Sequence, residues 1–500
     1  MRRFTLSTLS ASVILFGCGG PTPPAAPAPA PSASSIPAAR ATEGAAVNRG
    51  ALPGPGPAPA WAPPAAQRFE LSNGVPVYFL EQGATPVASL MLIIPRGSAT
   101  DPSGKSGLTE LTADLLDEGA GKLGALELSE ALELIATNYA ANVDIDSTAL
   151  TMSLLADELE PSVKLLADIV RRPKLSAAEF ARRKAQHVAS ALAGEKEPAT
   201  ARAVVLRRAL FGAGYGGNVA RGTRSTLERL TLEDVKGHYR RLVQPDGAAF
   251  VVVGNLGVEP VRRALEGAFG DWKGKSDAPD AKPATTTVEH AVALIDFPGA
   301  TQSALGIVTR ADGEHATDRF PASVMNWAVG GAFTSRINLN LREDKGYTYG
   351  ASSTFLRWQE AGLFGVFANV KSEVTRASVE EVFRELTALC KDEPLTDRER
   401  DEAVSGLLLG FPGRFEHGDA IAGELANLPL YARPLDYLQR WPERVRAVTT
   451  AEMNAVAKKY CDPSGYVVVI AGDRKSVEPS LAPLGLPVVV YDAEGVRQKP

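Results

Sequence analysis

Three carboxylates at helical spacing open the question of chemistry in this chain. In SGLTELTADLLDEGA, residues 106–120, Glu110, Asp114 and Asp117 fall at i, i+4 and i+7, which puts them on one face of a helix. Leu108, Leu111 and Leu115 fall on another face, and Glu118 lies close to the acidic row. Such a row can hold a hard cation through oxygen donors, work as an acid–base pair, or form the wet side of a helix. Histidine gives no help toward a metal. The five present are His187, His238, His290, His315 and His417, and no two stand four apart. That spacing excludes a local two-histidine zinc motif on a helix.

The elements that must position these acids belong to a large chain. Five hundred residues with 45% hydrophobic content suffice for two domains with cores of their own. A formal net charge of −5 gives no basic footprint for nucleic acid. At the N-terminus, Arg2 and Arg3 precede an apolar stretch from Ala11 to Phe16, which closes on LFGC at residues 15–18. A small residue directly before a cysteine, behind a short apolar run, resembles the lipobox of bacterial lipoproteins. The run is too short to span a bilayer as a permanent helix. Residues 1–18 therefore read as a lipoprotein signal peptide. The resemblance implies that Cys18 becomes the lipid-carrying first residue of a protein anchored in the bacterial cell envelope, facing the periplasm or the exterior.

Residues 19–66 are dominated by Pro, Ala and Gly and read as a disordered tether lifting the folded part off a membrane. A second break at 275–287 is read as a linker between domains at 67–274 and 288–500. These two domains repeat each other. LTLEDVKGHYRRLVQPDGAAFVVVGN from Leu230 and VTTAEMNAVAKKYCDPSGYVVVIAGD from Val448 align without a gap at a constant shift of 218. Each copy reads as a helix, a Pro/Gly turn and a buried β-branched strand ending at glycine.

Within the halves, VPVYFLE and VASLMLIIPRG suggest an early hairpin, STALTMSLL another strand, and AGLFGVFANV a strand of the second half. One helix carries Val163, Leu166 and Val170 on a single face; another carries Val379, Val382, Phe383, Leu386 and Leu389. Both stripes face a core. The fold expected is α+β, two homologous domains, each a mixed β-sheet with helices packed mainly on one face. Cys390 and Cys461 could pair in an oxidising compartment; the expectation is two unpaired core thiols.

Three segments in this order, LSNGVPVYFLE, GTRSTLERLTLEDVKGHYRRLVQPDGAAFVVVGNL and GGAFTSRINLNLREDKGYTYGASS, resemble the pitrilysin/insulinase superfamily of zinc peptidases. The closer likeness is to its shorter, processing-peptidase branch, and it implies that the two domains form a clamshell. In active members a first-domain helix carries His-x-x-Glu-His: two histidines hold zinc, the glutamate between them activates the bound water, and a distal glutamate completes the ligands. Aligned on Gly107 and Gly119, that register falls on Glu110, Ala113 and Asp114. The distal ligand falls near Ser190 or Ala191, where no carboxylate stands. Two carboxylates could still hold a hard cation weakly, but the base, worth about 10²–10⁴-fold in rate, is replaced by a methyl group. The acidic row is then read as a solvated helix face, and no metal or cofactor is expected in this chain.

The second half keeps more of the resemblance. Arg342 and Tyr349 in LREDKGYTYG match the superfamily's substrate-contacting Arg/Tyr pair. Arg offers a fork of donors to a carbonyl or carboxylate, and Tyr a phenolic donor for a developing oxyanion. Gly330 and Gly331, just upstream, imply a flexible or closely packed lead into the same helix. The resemblance implies a catalytically incomplete, substrate-contacting subunit of a heteromeric metallopeptidase acting on unfolded or short peptides. Zinc would sit in a homologous partner subunit. The alternative is a non-catalytic scaffold or peptide-binding lipoprotein.

Overall fold

The Asn73-Gly74 turn starts the first sheet. Gly74 takes φ 85°, a left-handed conformation that costs glycine little, and Asn73 Oδ1 accepts the amide of Val75 at 3.2 Å. This turn joins β1 (Gln67–Glu70) to β2 (Pro76–Glu81). The computed structural model of the chain describes residues 61–278, 282 and 288–499. Cys18, most of the 19–66 tether and most of the 275–287 linker therefore lie outside the described residues.

The first sheet continues with β3 (Val87–Ile94), β4 (Asn138–Val143), β5 (Thr148–Leu155) and β6 (Ala249–Gly254), in the order β1-β2-β6-β3-β5-β4. The hairpin expected between residues 75–81 and 87–97 does not form. β6 lies between β2 and β3, parallel to the first and antiparallel to the second. Every residue of β6 is buried, and a strand apolar on both faces belongs in the middle of a sheet. The hairpin partner of β2 is instead the short β1.

β7 (Val292–Asp296), β8 (Gln302–Ala311), β9 (Thr348–Arg357), β10 (Gly362–Lys371), β11 (Val467–Gly472) and β12 (Val488–Tyr491) form the second sheet, in the order β12-β7-β11-β8-β10-β9. The shift of 218 read from the sequence carries the Leu232–Leu242 helix onto the Thr450–Tyr460 helix and β6 onto β11. Both helices begin with a capping box, Thr231 with Asp234 and Thr449 with Glu452, so the local start signal repeats with the fold. Only the outer strand differs: β1 runs antiparallel to β2, whereas β12 runs parallel to β7.

Helices Leu159–Arg171 and Val258–Phe269 cover one face of the first sheet, burying Val163, Leu166 and Val170 with Val77, Phe79, Leu90 and Val252. Helices Thr375–Ala388 and Thr450–Tyr460 cover the matching face of the second, burying Val379, Val382 and Leu386. The remaining faces are covered by exchange. Helix Pro198–Phe211 leaves the first half and buries Ala201, Val205 and Leu210 against Ala293, Val308 and Val469. Helix Gly418–Leu430 returns the contact, packing Ile421, Ala422 and Leu425 toward Met91, Val251 and Val253.

Polar ties follow the same seam. Asp146 accepts from Tyr215 Oη and from the Gln359 amide, both at 2.7 Å, and Ser89 donates to Asp419. Each fully buried Val or Leu contributes about 1.5–3 kcal/mol, so the two halves form one compact unit.

Cys390 and Cys461 form a disulfide with Cα atoms 6.0 Å apart, correcting the expectation of unpaired thiols. It ties the chain after Thr375–Ala388 to the end of Thr450–Tyr460. No described helix is long and apolar enough to cross a membrane.

Candidate functional site

The motif helix spans only Leu108–Asp114. Its start is fixed by buried Asp101, whose carboxylate accepts the amides of Gly107 and Thr109, each at 2.8 Å, and the Thr109 hydroxyl at 2.6 Å. The same hydroxyl meets Nε2 of buried His238 at 2.8 Å. His238 then serves as a neutral donor, and burial lowers its pKa to about 4. Burial pushes Asp101 the other way, to about 7, against the pull of its hydrogen bonds. Leu108, Leu111 and Ala113 point into the core, Ala113 at 1% exposure.

Because the helix ends at Asp114, Asp117 and Glu118 belong to the turns that follow. The expected row of three carboxylates on one helix is thus interrupted after its second member. Nor is the row a solvated face. The facing helix, Ala177–Gly194, presents Arg182, Arg183 and His187 to it. His187 Nε2 lies 2.6 Å from Asp114 Oδ2, and Arg183 Nη2 lies 3.1 Å from the same oxygen. Glu118 is held by Arg183 at 3.2 Å and by Arg182. Burial raises the pKa of Glu110, helped by Asp114. Burial, then Glu118, raises Asp117 to about 6. All four acids are half-buried, and Asp114 and Glu118 are paired with the facing helix, which corrects the solvated reading.

These residues do not fit a zinc ion. One carboxylate oxygen of Asp114, Oδ2, already meets a histidine and an arginine. Glu110 faces Arg221 at 4.0 Å, and the base position is a buried methyl. Among the described residues no three His, Cys, Asp or Glu side chains are arranged to hold a metal. Ser190 and Ala191 do line the cavity beside Glu110 and Asp114, where a distal ligand was expected. His187 lies one turn earlier on the same helix and reaches Asp114 instead. Sequence reasoning passed over it; the signal was its place one turn before Ser190, on the same helical face.

Arg342 and Tyr349 stand in the second half. Arg342 belongs to a wide, π-type turn at Leu339–Asp344, a form often found at functional sites. Asn340, in the same turn, donates to Glu381 at 3.0 Å and Glu385 at 2.6 Å on the Thr375–Ala388 helix. The guanidinium lies 4.3 Å over the ring of Phe333, which is itself 64% exposed. Its ionic neighbour is the adjacent Glu343 at 3.3 Å. Tyr349 is 91% exposed near the start of β9, the outermost strand of its sheet. Gly330 sits in a second π-type turn, Trp327–Gly331, where a Cβ would collide with Ser353 of β9. Close packing, the second of the two roles expected for this glycine pair, is the one observed. Phe333 was not singled out from sequence, because an isolated aromatic carries no spacing signal.

Family patterns match both halves. The pattern described as Insulinase (Peptidase family M16) covers residues 77–223, and that described as Peptidase M16 inactive domain covers 229–407. A non-peptidase homologue from Helicobacter pylori is 22% identical over 80% of this chain and 92% of its own length. An uncharacterized zinc protease from Streptomyces coelicolor is 23% identical over 72% and 80%. Among solved structures, a peptidase M16 inactive domain from Pseudomonas fluorescens superposes with a TM-score of 0.75 at 24% identity, covering 82% of this chain and 98% of the other. A protease from Helicobacter pylori gives 0.74 at 19%, covering 82% and 99%. These likenesses establish the two-sheet fold.

Proposed function

Since the chain belongs to the insulinase (M16) family of peptidases and is a catalytically incomplete member of it, we propose that it is the substrate-contacting subunit of a heteromeric metallopeptidase. One contrast carries the reading. The position of the zinc helix is filled by Glu110, Ala113 and Asp114, tied into arginine and histidine contacts. The Arg342/Tyr349 pair, by contrast, is displayed on a braced turn and an edge strand with the phenol in solvent. A homologous partner would supply zinc and the water-activating base. Arg342 would orient a peptide carbonyl or carboxylate, and Tyr349 would donate to the oxyanion that develops there.

Unfolded or short peptides suit this arrangement. Both sheets end in an open edge, β4 in one and β9 in the other, and an extended peptide can add to such an edge through main-chain hydrogen bonds. The place of action we propose is the bacterial envelope, with Cys18 as lipid anchor. Support comes from the lipobox-like sequence and from the Cys390–Cys461 disulfide, a bond that persists in oxidising compartments.

The test is co-purification of the full chain with its partner, followed by peptide turnover. Arg342→Ala should lower turnover by the mixed complex about tenfold or more without dissociating it. Unchanged kinetics in an intact complex would remove the pair from catalysis and leave a scaffold.

A further inference from the structure

Composition assigns residues 61–66 to the tether, yet they are packed against the second half. They form neither helix nor strand. Pro63 and Pro64 fix their own φ angles, and each biases the residue before it toward extended backbone. The Trp61 ring lies 5.8 Å from that of Phe411 and 5.2 Å from that of Phe415, both in the helical turn Phe411–Phe415. Phe411 in turn stacks at 4.2 Å on Trp441 of helix Tyr437–Ala447. From the same helix, Gln439 Nε2 donates to the Pro64 carbonyl at 2.7 Å. Pro63 is buried, and Ala66 enters the apolar core.

An extended proline-rich segment has no internal hydrogen bonds and little conformational freedom left to lose. An aromatic surface with a donor aimed at a carbonyl can therefore hold it. We propose that the surface built by Phe411, Phe415, Gln439 and Trp441 is a recognition site for such a segment, filled in cis by Trp61–Pro64 as a releasable clasp. The clasp reaches the second half from the first, since residue 67 opens β1. Gln82, just after β2, adds a second tie at the same place by donating to the Phe415 carbonyl at 3.2 Å.

Covalent attachment gives the segment an effective concentration on the order of millimolar, so the chain's own residues occupy the site ahead of any free segment. Opening the clasp frees residues 61–66, which adds about 20 Å of reach to the tether. The site uses neither Arg342 nor the motif helix nor a partner subunit, so it stands or falls apart from the proposed function.

Fluorescence anisotropy on the full chain with a labelled WAPPAA peptide, the sequence of residues 61–66, tests it. The Trp61→Ala/Pro64→Ala variant, with its clasp weakened, should bind the peptide saturably. The wild type should bind at least about tenfold more weakly, because its site is occupied. In the double variant, Gln439→Ala should weaken binding, and a peptide with alanine for tryptophan should bind at least about tenfold more weakly. Melting temperatures confirm the fold. If the double variant does not fold, Trp61→Ala alone, at a ring that is 39% exposed, decides by the same comparison. No saturable binding at millimolar peptide would overturn the proposal. So would equal binding by wild type and variant, or binding indifferent to Gln439→Ala or to the tryptophan of the peptide.

Discussion

At Ala113 the side chain that would take a proton from a metal-bound water is a methyl group in the core of the first half, and its surroundings have closed around it. Ala113→Glu should therefore destabilise the chain by about 1–3 kcal/mol in denaturant unfolding and bring no hydrolysis. Asp114 has taken up different work: with His187 and Arg183 it fastens the motif helix to the facing helix. A double-mutant cycle on Asp114→Asn and His187→Gln should give a coupling energy of about 1 kcal/mol, whereas additive losses would mean that the contact carries no energy. The loss of the zinc motif was legible in the sequence, because the motif is local. The contacts that replaced it were not, since Asp114 and His187 are 73 residues apart and only the fold brings them together.

Behind the same helix, Asp101 and His238 give opposite pH dependences. The folded pKa of His238 is lowered to about 4, so its contribution is present above the unfolded value near 6.5 and lost as pH falls toward 4. The folded pKa of Asp101 is raised to about 7, so its contribution is present below about 4 and lost as pH rises toward 7. The two nearly offset each other across that window. Denaturant unfolding of Asp101→Asn from pH 4 to 7 should show stability rising with pH more steeply than in the wild type. His238→Asn should show it falling.

Elements are most legible in the sequence where period and boundary signals agree. The repeat at a shift of 218 gave two helices and two strands in register, because each copy carries its own capping box, turn and all-apolar strand. The early hairpin does not form, because adjacency in sequence is not adjacency in the sheet: β6, far along the chain, takes the central place. β4 escaped notice because NYAANV has weak apolar alternation. The disulfide, whose cysteines are 71 residues apart, likewise depends on two helix ends that meet only in the fold. Replacing both cysteines by serine should cost about 2–4 kcal/mol, read as a lower denaturant midpoint; an unchanged midpoint would show that the bond does not constrain the unfolded chain.

At the scale of the whole molecule, the exchange of Pro198–Phe211 and Gly418–Leu430 makes each sheet depend on the other half. Leu210→Ala, in the second sheet's cover, should cost about 2–5 kcal/mol and shift one cooperative transition. Two separate transitions would mean that the halves fold independently. The same dependence means that the chain presents its Arg342/Tyr349 surface as part of a single body, the form in which a zinc-bearing partner would meet it. Among its described residues, this body lacks the hydrolytic centre of its family. The most direct measurement is metal content and cleavage of an unfolded peptide by the homogeneous chain alone, incubated with zinc and repurified. The chain should carry no stoichiometric zinc, cleave no peptide, and keep its melting temperature in the presence of a chelator. One zinc per chain with peptide cleavage abolished by Glu110→Ala would contradict it.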